Sequence, residues 1–170
     1  MLRTRINIVE KLMSENRWDE IEFDKIPSGA GLKYTNAFAR RDIQRYKEFM
    51  DSKETKVNAG ALYPYQVVEK ALEKRNRSFD DTERLAVNKY WDNLTDYFNN
   101  ATFNALCVVD TSASMRGMPL NVAISLGMYC AERGKGPFAD HYIAFSHAPR
   151  LVSIQGVDFV DKVTRIYNAN

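Results

Sequence analysis

The sequence predicts an α-helical region over residues 1–100, followed over residues 101–170 by an open α/β sheet with helices on it. Two observations carry this fold class. Apolar side chains recur at steps of three and four residues up to about residue 100, which is typical of helices packed on one face. Beyond that point, short runs rich in β-branched and aromatic residues alternate with helical stretches, which favours a sheet with helical connections.

Five helices are expected in the first region, separated by a short connector and loops. The connector spans Trp18–Ile26 and ends at Pro27. Pro64 suits the first turn of a helix, and Ser78 or Asp80 can cap the last and longest one. The expected helices are one ending near Asn16, one over Leu32–Phe38, one starting near Asp42, one starting at Pro64 and one ending at Asn99.

The buried faces of the later helices follow from the same spacing. The third helix should turn Ile43, Tyr46, Phe49 and Met50 inward, and the fourth Val67, Val68, Ala71 and Leu72. The last should bury Leu85, Tyr90, Trp91, Leu94 and Phe98. A hydrophobic core is therefore expected in this region.

The second region begins with Phe103–Val109, a continuous apolar run that predicts a strand buried on both faces. The remaining expected elements are a helix over Pro119–Arg133, strands over His141–Phe145 and Leu151–Ile154, and a helix over Val157–Tyr167. Three strands leave a large uncovered sheet edge. We therefore expect this chain to be the front half of a longer protein.

Charge and composition exclude several classes of protein. The 24 basic and 22 acidic residues leave a net charge of +2, too small to indicate nucleic-acid binding by electrostatics alone, and nothing indicates DNA. No apolar run approaches the ~20 residues that cross a bilayer, and no signal sequence is visible. Cys107 and Cys130 are expected to be free, buried thiols. These observations predict a soluble cytoplasmic protein without a membrane-spanning segment.

The segment with the most chemistry is Asp110–Met115, at the carboxyl end of the first predicted strand. Asp110, Ser112 and Ser114 offer one carboxylate and two hydroxyls, hard oxygen ligands that suit Mg²⁺ or Mn²⁺. Ligands bind at this end of the strands in open α/β sheets. Asp and Ser are also ordinary turn and capping residues, which is the alternative interpretation.

This segment resembles the metal-ion-dependent adhesion site of von Willebrand factor A domains, whose pattern is Asp-x-Ser-x-Ser. The whole chain further resembles the family known as domain of unknown function 2828. There a helical region related to the TROVE module of Ro ribonucleoproteins precedes a von Willebrand A-type domain. The other matching stretches are Asn7–Ser14, Arg17–Ile21, Lys25–Ser28 and Asn58–Pro64.

The resemblance implies that Ser112 and Ser114 coordinate a divalent cation by their hydroxyls and that Asp110 acts directly or through water. It also implies a Thr on a second loop and often an Asp on a third. Those positions would lie beyond Asn170, because Tyr167–Asn170 resembles the segment just before that Thr. The helical region, by the same resemblance, is expected to be incomplete at its N-terminus.

The predicted function is non-enzymatic binding, in which the cation presents an open coordination position to an acidic residue on a partner protein. Catalysis has little support. Ser112 lacks the surroundings of a hydrolytic nucleophile, and His141 and His147 are expected to be surface histidines. A third hypothesis, metal-assisted phosphoester hydrolysis, lacks the acidic cluster of two-metal sites.

The alternative function is binding of a small structured RNA through the TROVE-like region. Two basic clusters could contact phosphates, although acidic neighbours make solvated helix faces the simpler interpretation. Aromatic side chains could stack on bases, although their spacing favours core packing. The basic residues are Arg40, Arg41, Arg45 and Lys47, then Lys70, Lys74, Arg75 and Arg77; the aromatic residues are Tyr63, Tyr65, Tyr90 and Trp91.

Overall fold

A computed structural model describes residues 8–73, 79–98, 105–145 and 147–169. The described residues form two compact units. The first contains those of Met1–Ala61 and Phe79–Asn93, and the second those of Leu62–Ser78 and Leu94–Asn170. The predicted boundary between residues 100 and 101 lies outside the described residues and stays a prediction; in the described part, a segment from the middle of the helical region groups with the second unit.

The described residues contain eight α-helices and one three-stranded sheet. The helices are α1 (Val9–Ser14), α2 (Ser28–Lys33), α3 (Thr35–Arg41), α4 (Ile43–Asp51), α5 (Pro64–Leu72), α6 (Asp81–Asp92), α7 (Met118–Arg133) and α8 (Phe159–Asn168). The strands are β1 (Cys107–Asp110), β2 (His141–Phe145) and β3 (Arg150–Ser153). In the described part of the chain, each helix is too short or too polar to span a bilayer.

The sheet of the second unit has the order β1-β2-β3. Strand β1 pairs with β2 in parallel, with Val109 beside Ala144, and β2 pairs with β3 antiparallel, with Ile143 beside Leu151. Helix α7 packs on β1 and β2, and α5 packs against α7 and α8. The structure is therefore a mixed α and β fold, in which α7 covers one face of a small mixed sheet.

The prediction that the first strand is buried on both faces is wrong for its described residues. Val108 in β1 is 61% exposed and Leu151, on the same face of the sheet, is 56% exposed, whereas Val109 on the opposite face is buried. Successive side chains of a strand point to opposite faces, and α7 covers only one of them. The predicted residues 103 and 104 lie outside the described part of the chain.

Helix α7 lies close to β1 because residue 127 has no side chain. A Cβ atom built on Gly127 would lie 2.4 Å from Cγ2 of Val109, far inside van der Waals contact. Val109 is buried and β-branched, so its side chain has little freedom to move aside. The contact fixes β1, and with it the turn that leads into α7.

Most helices of the sequence prediction are present, with three differences. The predicted helix over Leu32–Phe38 is two short helices, α2 and α3, which meet at Tyr34. Helix α6 ends at Asp92 rather than at Asn99. At its end, the Asn93 side chain donates to the Lys89 carbonyl at 2.9 Å. Ile43 is 56% exposed, since the first residue of a helix has no preceding turn to cover.

The core of the first unit is aromatic. The rings of Phe23, Phe38 and Tyr46 pack with centroids 4.9–5.5 Å apart, mostly edge to face. Such arrangements contribute beyond the apolar area that they bury. Burial raises the pKa of Tyr46 well above its ordinary value, so this hydroxyl stays protonated. Sequence periodicity correctly assigned Tyr46 to the buried side of α4.

Lys89 of α6 is a buried cation that joins α6 to the end of α4. Its Nζ donates to the Phe49 carbonyl at 2.9 Å, the Ser52 carbonyl at 2.6 Å and the Thr55 hydroxyl at 2.7 Å. The last carbonyls of a helix have no partner within it and carry partial negative charge, which a lysine satisfies. Burial lowers the pKa of Lys89, and these oxygen atoms compensate for the lost water.

We predict that Lys89→Met destabilises the first unit by about 2 kcal/mol. Methionine keeps an apolar stem but leaves the carbonyls of Phe49 and Ser52 without their donor. Urea unfolding followed by circular dichroism measures the change. Lys47→Met, at an exposed position of α4, is the control and should change stability by less than about 0.5 kcal/mol. Equal effects of the two substitutions would contradict this role of Lys89.

We predict that Gly127→Ala destabilises the protein by about 1–3 kcal/mol, because the added methyl group forces α7 away from Val109. Gly29→Ala is the control, since a Cβ there meets no atom within 4 Å and alanine favours helix. Thermal unfolding compares the two. An alanine tolerated equally at both positions would show that α7 does not depend on this close approach.

Candidate metal centre

The turn after β1 is organised by the Asp110 side chain. Asp110 is the last residue of β1, and its Oδ1 accepts a hydrogen bond from the Ser112 backbone N–H at 2.9 Å. A short 3₁₀ turn over Ala113–Met115 follows, in which Met115 N–H donates to the Ser112 carbonyl at 2.9 Å. Gly117 then precedes α7 with φ of +89°, a backbone conformation that favours glycine. Local hydrogen bonds thus shape the loop that carries the motif.

The two serine hydroxyls of the motif lie side by side on the surface. Ser112 Oγ and Ser114 Oγ are 2.9 Å apart, and both residues are exposed. Asp110 is half-buried, and Oδ1 is the carboxylate oxygen that accepts the Ser112 N–H. The structure therefore brings Ser112 and Ser114 together and connects Asp110 to them through the backbone.

This donor set is compatible with a small divalent cation. Adjacent oxygen ligands of octahedral Mg²⁺, each at ~2.1 Å from the metal, lie ~3.0 Å from one another. The two serine hydroxyl oxygens are hydrogen-bonded at 2.9 Å, a separation that also fits this spacing. Among the described residues, no group of three or more His, Cys, Asp or Glu side chains is placed to hold a metal. Octahedral Mg²⁺ takes six oxygen ligands, so further oxygens beyond those of Asp110, Ser112 and Ser114 would complete its shell.

A groove of about 1190 Å³ lies directly beside the motif. Its wall includes Ser112 and side chains from the ends of β2, β3 and α8. Three of its lining residues are basic: Arg116, His147 and Arg150. No sequence motif indicated the two arginines as site residues. Arg116 directly follows the Asp110–Met115 segment, so its position in the sequence could have suggested that it lies near the motif. Nothing in the sequence places Arg150 there.

The other predicted residues are placed as follows. Cys107 and Cys130 are free thiols, as expected, but both are half-buried rather than buried. Partial burial together with a hydrogen bond to Cys107 raises the pKa of Cys130 to about 12. His147 is exposed, whereas His141 is half-buried with its Nδ1 2.6 Å from the Ala139 carbonyl.

The predicted basic clusters are only partly available to a ligand. Arg40, Arg41 and Lys47 are exposed. Arg45, by contrast, pairs with Asp42 at 2.7 Å and donates to the Ile21 carbonyl. Lys70 pairs with Glu73 at 2.9 Å. Three further members, Lys74, Arg75 and Arg77, lie outside the described residues.

The four aromatic candidates divide into two pairs. Tyr90 and Trp91 are buried, as their spacing predicted. Tyr63 is 65% exposed and stacks on Tyr65, with centroids 6.0 Å apart and planes 16° from parallel. Core packing is therefore the wrong prediction for Tyr63, because this residue precedes α5 and lies outside its buried face.

Comparisons with known proteins agree with one part of the resemblance. Residues 1–102 match the profile of a domain of unknown function, DUF2828, and residues 104–170 match that of another, DUF7788. The chain is 32% identical over 184 aligned residues to uncharacterized protein L728 of Acanthamoeba polyphaga mimivirus. That alignment covers 95% of this chain and 30% of the viral protein, so the chain spans less than a third of that relative's length.

No solved structure matches the chain. The von Willebrand A-type assignment of residues 101–170 and the TROVE relationship therefore stay predictions from sequence. The first profile spans more than half of the chain, and six α-helices lie within its described residues. The chain belongs to the DUF2828 family.

Proposed function

We propose that this chain is a binding protein that recognises an acidic residue of a partner protein through a divalent cation at Asp110, Ser112 and Ser114. The observation that carries the proposal is the exposed pair of serine hydroxyls, 2.9 Å apart, after the strand-terminal aspartate. Asp110 supplies the negative charge that attracts a cation, and the hydroxyls supply neutral oxygens. A bound Mg²⁺ or Mn²⁺ would attract a carboxylate from a partner.

Recognition rather than turnover is supported by the side chains around the motif. No Asp or Glu is among the described residues that line the groove, so a pair of carboxylates for general acid–base work is absent from that part of it. Ser112 Oγ has Ser114 Oγ as its hydrogen-bond partner rather than a base. The protein's contribution is then to hold oxygens on a surface that another protein can reach.

A second candidate function, binding of structured RNA, is favoured by one observation. The Tyr63 ring is exposed and stacks nearly parallel on the Tyr65 ring. Its backbone N–H is fixed by Gln66 Oε1 at 2.8 Å, so the platform has a rigid support. Unpaired bases stack on such aromatic side chains with little dependence on sequence.

We predict that replacing both Ser112 and Ser114 by alanine lowers the affinity for Mn²⁺ at least about tenfold, because two ligating oxygens are removed. Isothermal titration calorimetry of the whole chain measures this. The control is Thr164→Ala, which removes a hydroxyl of α8 that is bonded to the Val160 carbonyl. Unchanged affinity in the double variant, or no Mn²⁺ binding by the wild-type chain, would overturn the metal proposal.

For the RNA alternative, we predict that the affinity for a fluorescein-labelled RNA hairpin falls about tenfold on Tyr63→Ala, through loss of stacking. The affinity should also fall as salt rises, because phosphate contacts release counterions. Fluorescence anisotropy measures both effects. Tyr97→Ala, at another exposed tyrosine, is the control. Absent binding, or binding that is insensitive to salt and to Tyr63, would reject the RNA function.

A further inference from the structure

The groove beside the motif carries charge of one sign. Its charged and titratable lining includes Arg116, His147 and Arg150, and no carboxylate is among the described residues that line it. Elsewhere in the chain, Arg17, Arg45 and Arg165 each pair with a carboxylate. Within the described residues, Arg116 and Arg150 form no ion pair. Two guanidinium groups in one groove are therefore available to an anion.

Apolar side chains are exposed in the same groove. Phe145 at the end of β2 is 55% exposed and Leu151 in β3 is 56% exposed, and both line it. The buried Leu120 of α7 contributes to its wall. Covering such side chains by a ligand is favourable, at ~25 cal/mol per Å² of apolar surface removed from water. A ligand that fits this surface combines negative charge with apolar groups.

The charges at the motif also favour an anionic ligand. Asp110 is the single carboxylate of the motif, and Arg116 follows the motif closely in the chain. A divalent cation needs two negative charges for neutrality, and two arginines nearby add further positive charge. One carboxylate leaves this surface positive, and a ligand with several carboxylates would reverse that excess.

We infer that the groove binds an extended acidic peptide through two separate carboxylates and an apolar side chain. One carboxylate faces the Asp110–Ser114 turn, which rests on the proposed function. The second pairs with Arg116 and Arg150, whose planar guanidinium groups suit bidentate contacts to carboxylates. The apolar side chain covers Phe145 and Leu151. These exposed apolar groups favour a peptide over the phosphate backbone of a nucleic acid.

Binding of the cation and of the acidic peptide should therefore be coupled. Each adds charge opposite to the other at a shared surface, so each strengthens the other by the same factor. The peptide should bind weakly to the metal-free chain through Arg116 and Arg150. Mn²⁺ should bind more tightly once the peptide is present.

The test uses a fluorescein-labelled hexapeptide of alternating Asp and Leu, with the Asn-Leu peptide as the neutral probe. Fluorescence anisotropy is measured on the whole chain, with Mn²⁺ or with EDTA. We expect Arg116→Gln and Arg150→Gln each to weaken binding of the acidic peptide about tenfold in Mn²⁺. Arg165→Gln, an exposed arginine of α8, is the matched control and should leave affinity within about twofold of wild type.

The outcomes separate this inference from the proposed function. Peptide binding that needs Mn²⁺ but is unchanged by Arg116→Gln and Arg150→Gln would overturn the inference about the groove and leave the metal-dependent recognition intact. Binding that is equal in EDTA but lost with Arg150→Gln would support the arginine subsite and overturn the metal role. Equal binding of the Asn-Leu peptide would reject the charge argument. Displacement of the acidic peptide by a single-stranded RNA of lower Kd would identify nucleic acid as the occupant instead.

Discussion

The position of the candidate metal centre depends on how closely α7 approaches β1. The absence of a side chain at Gly127 allows Val109 to pack directly against the helix, and any larger residue would meet Cγ2 of Val109 at 2.4 Å. Asp110 is the next residue along the strand, so this contact also determines where the carboxylate lies. A glycine in a helix costs stability relative to alanine, and here that cost accompanies a close helix–strand contact.

A buried lysine in the first unit and two groove-lining arginines in the second have different roles. Lys89 is buried, and its ammonium group is held by the carbonyls at the end of α4, where it stabilises one arrangement of helices. Arg116 and Arg150 line an open groove and form no ion pair among the described residues. The first cation is satisfied by the fold itself. The second pair is satisfied by water or by a ligand, which is why the groove has consequences for binding.

The elements that sequence predicted well depend on local signals. The bounds of β2 were predicted without error, α7 begins one residue before its predicted start, and α5 begins at the predicted Pro64. Short-range spacing of apolar residues and the fixed φ of proline suffice for these. The errors lie where packing decides. Val108 and Ile43 are apolar by sequence, yet the described structure leaves one sheet face and the first turn of α4 uncovered.

The sequence by itself determined the helical first region, the change to strands and helices after residue 100, and the Asp-x-Ser-x-Ser turn with its candidate oxygen ligands. These follow from residue types and their spacing along a short segment. The tertiary structure alone decided that Lys89 is buried against the end of α4 and that Arg116 and Arg150 share a groove. Such arrangements depend on contacts between residues distant in sequence, and no local pattern encodes them.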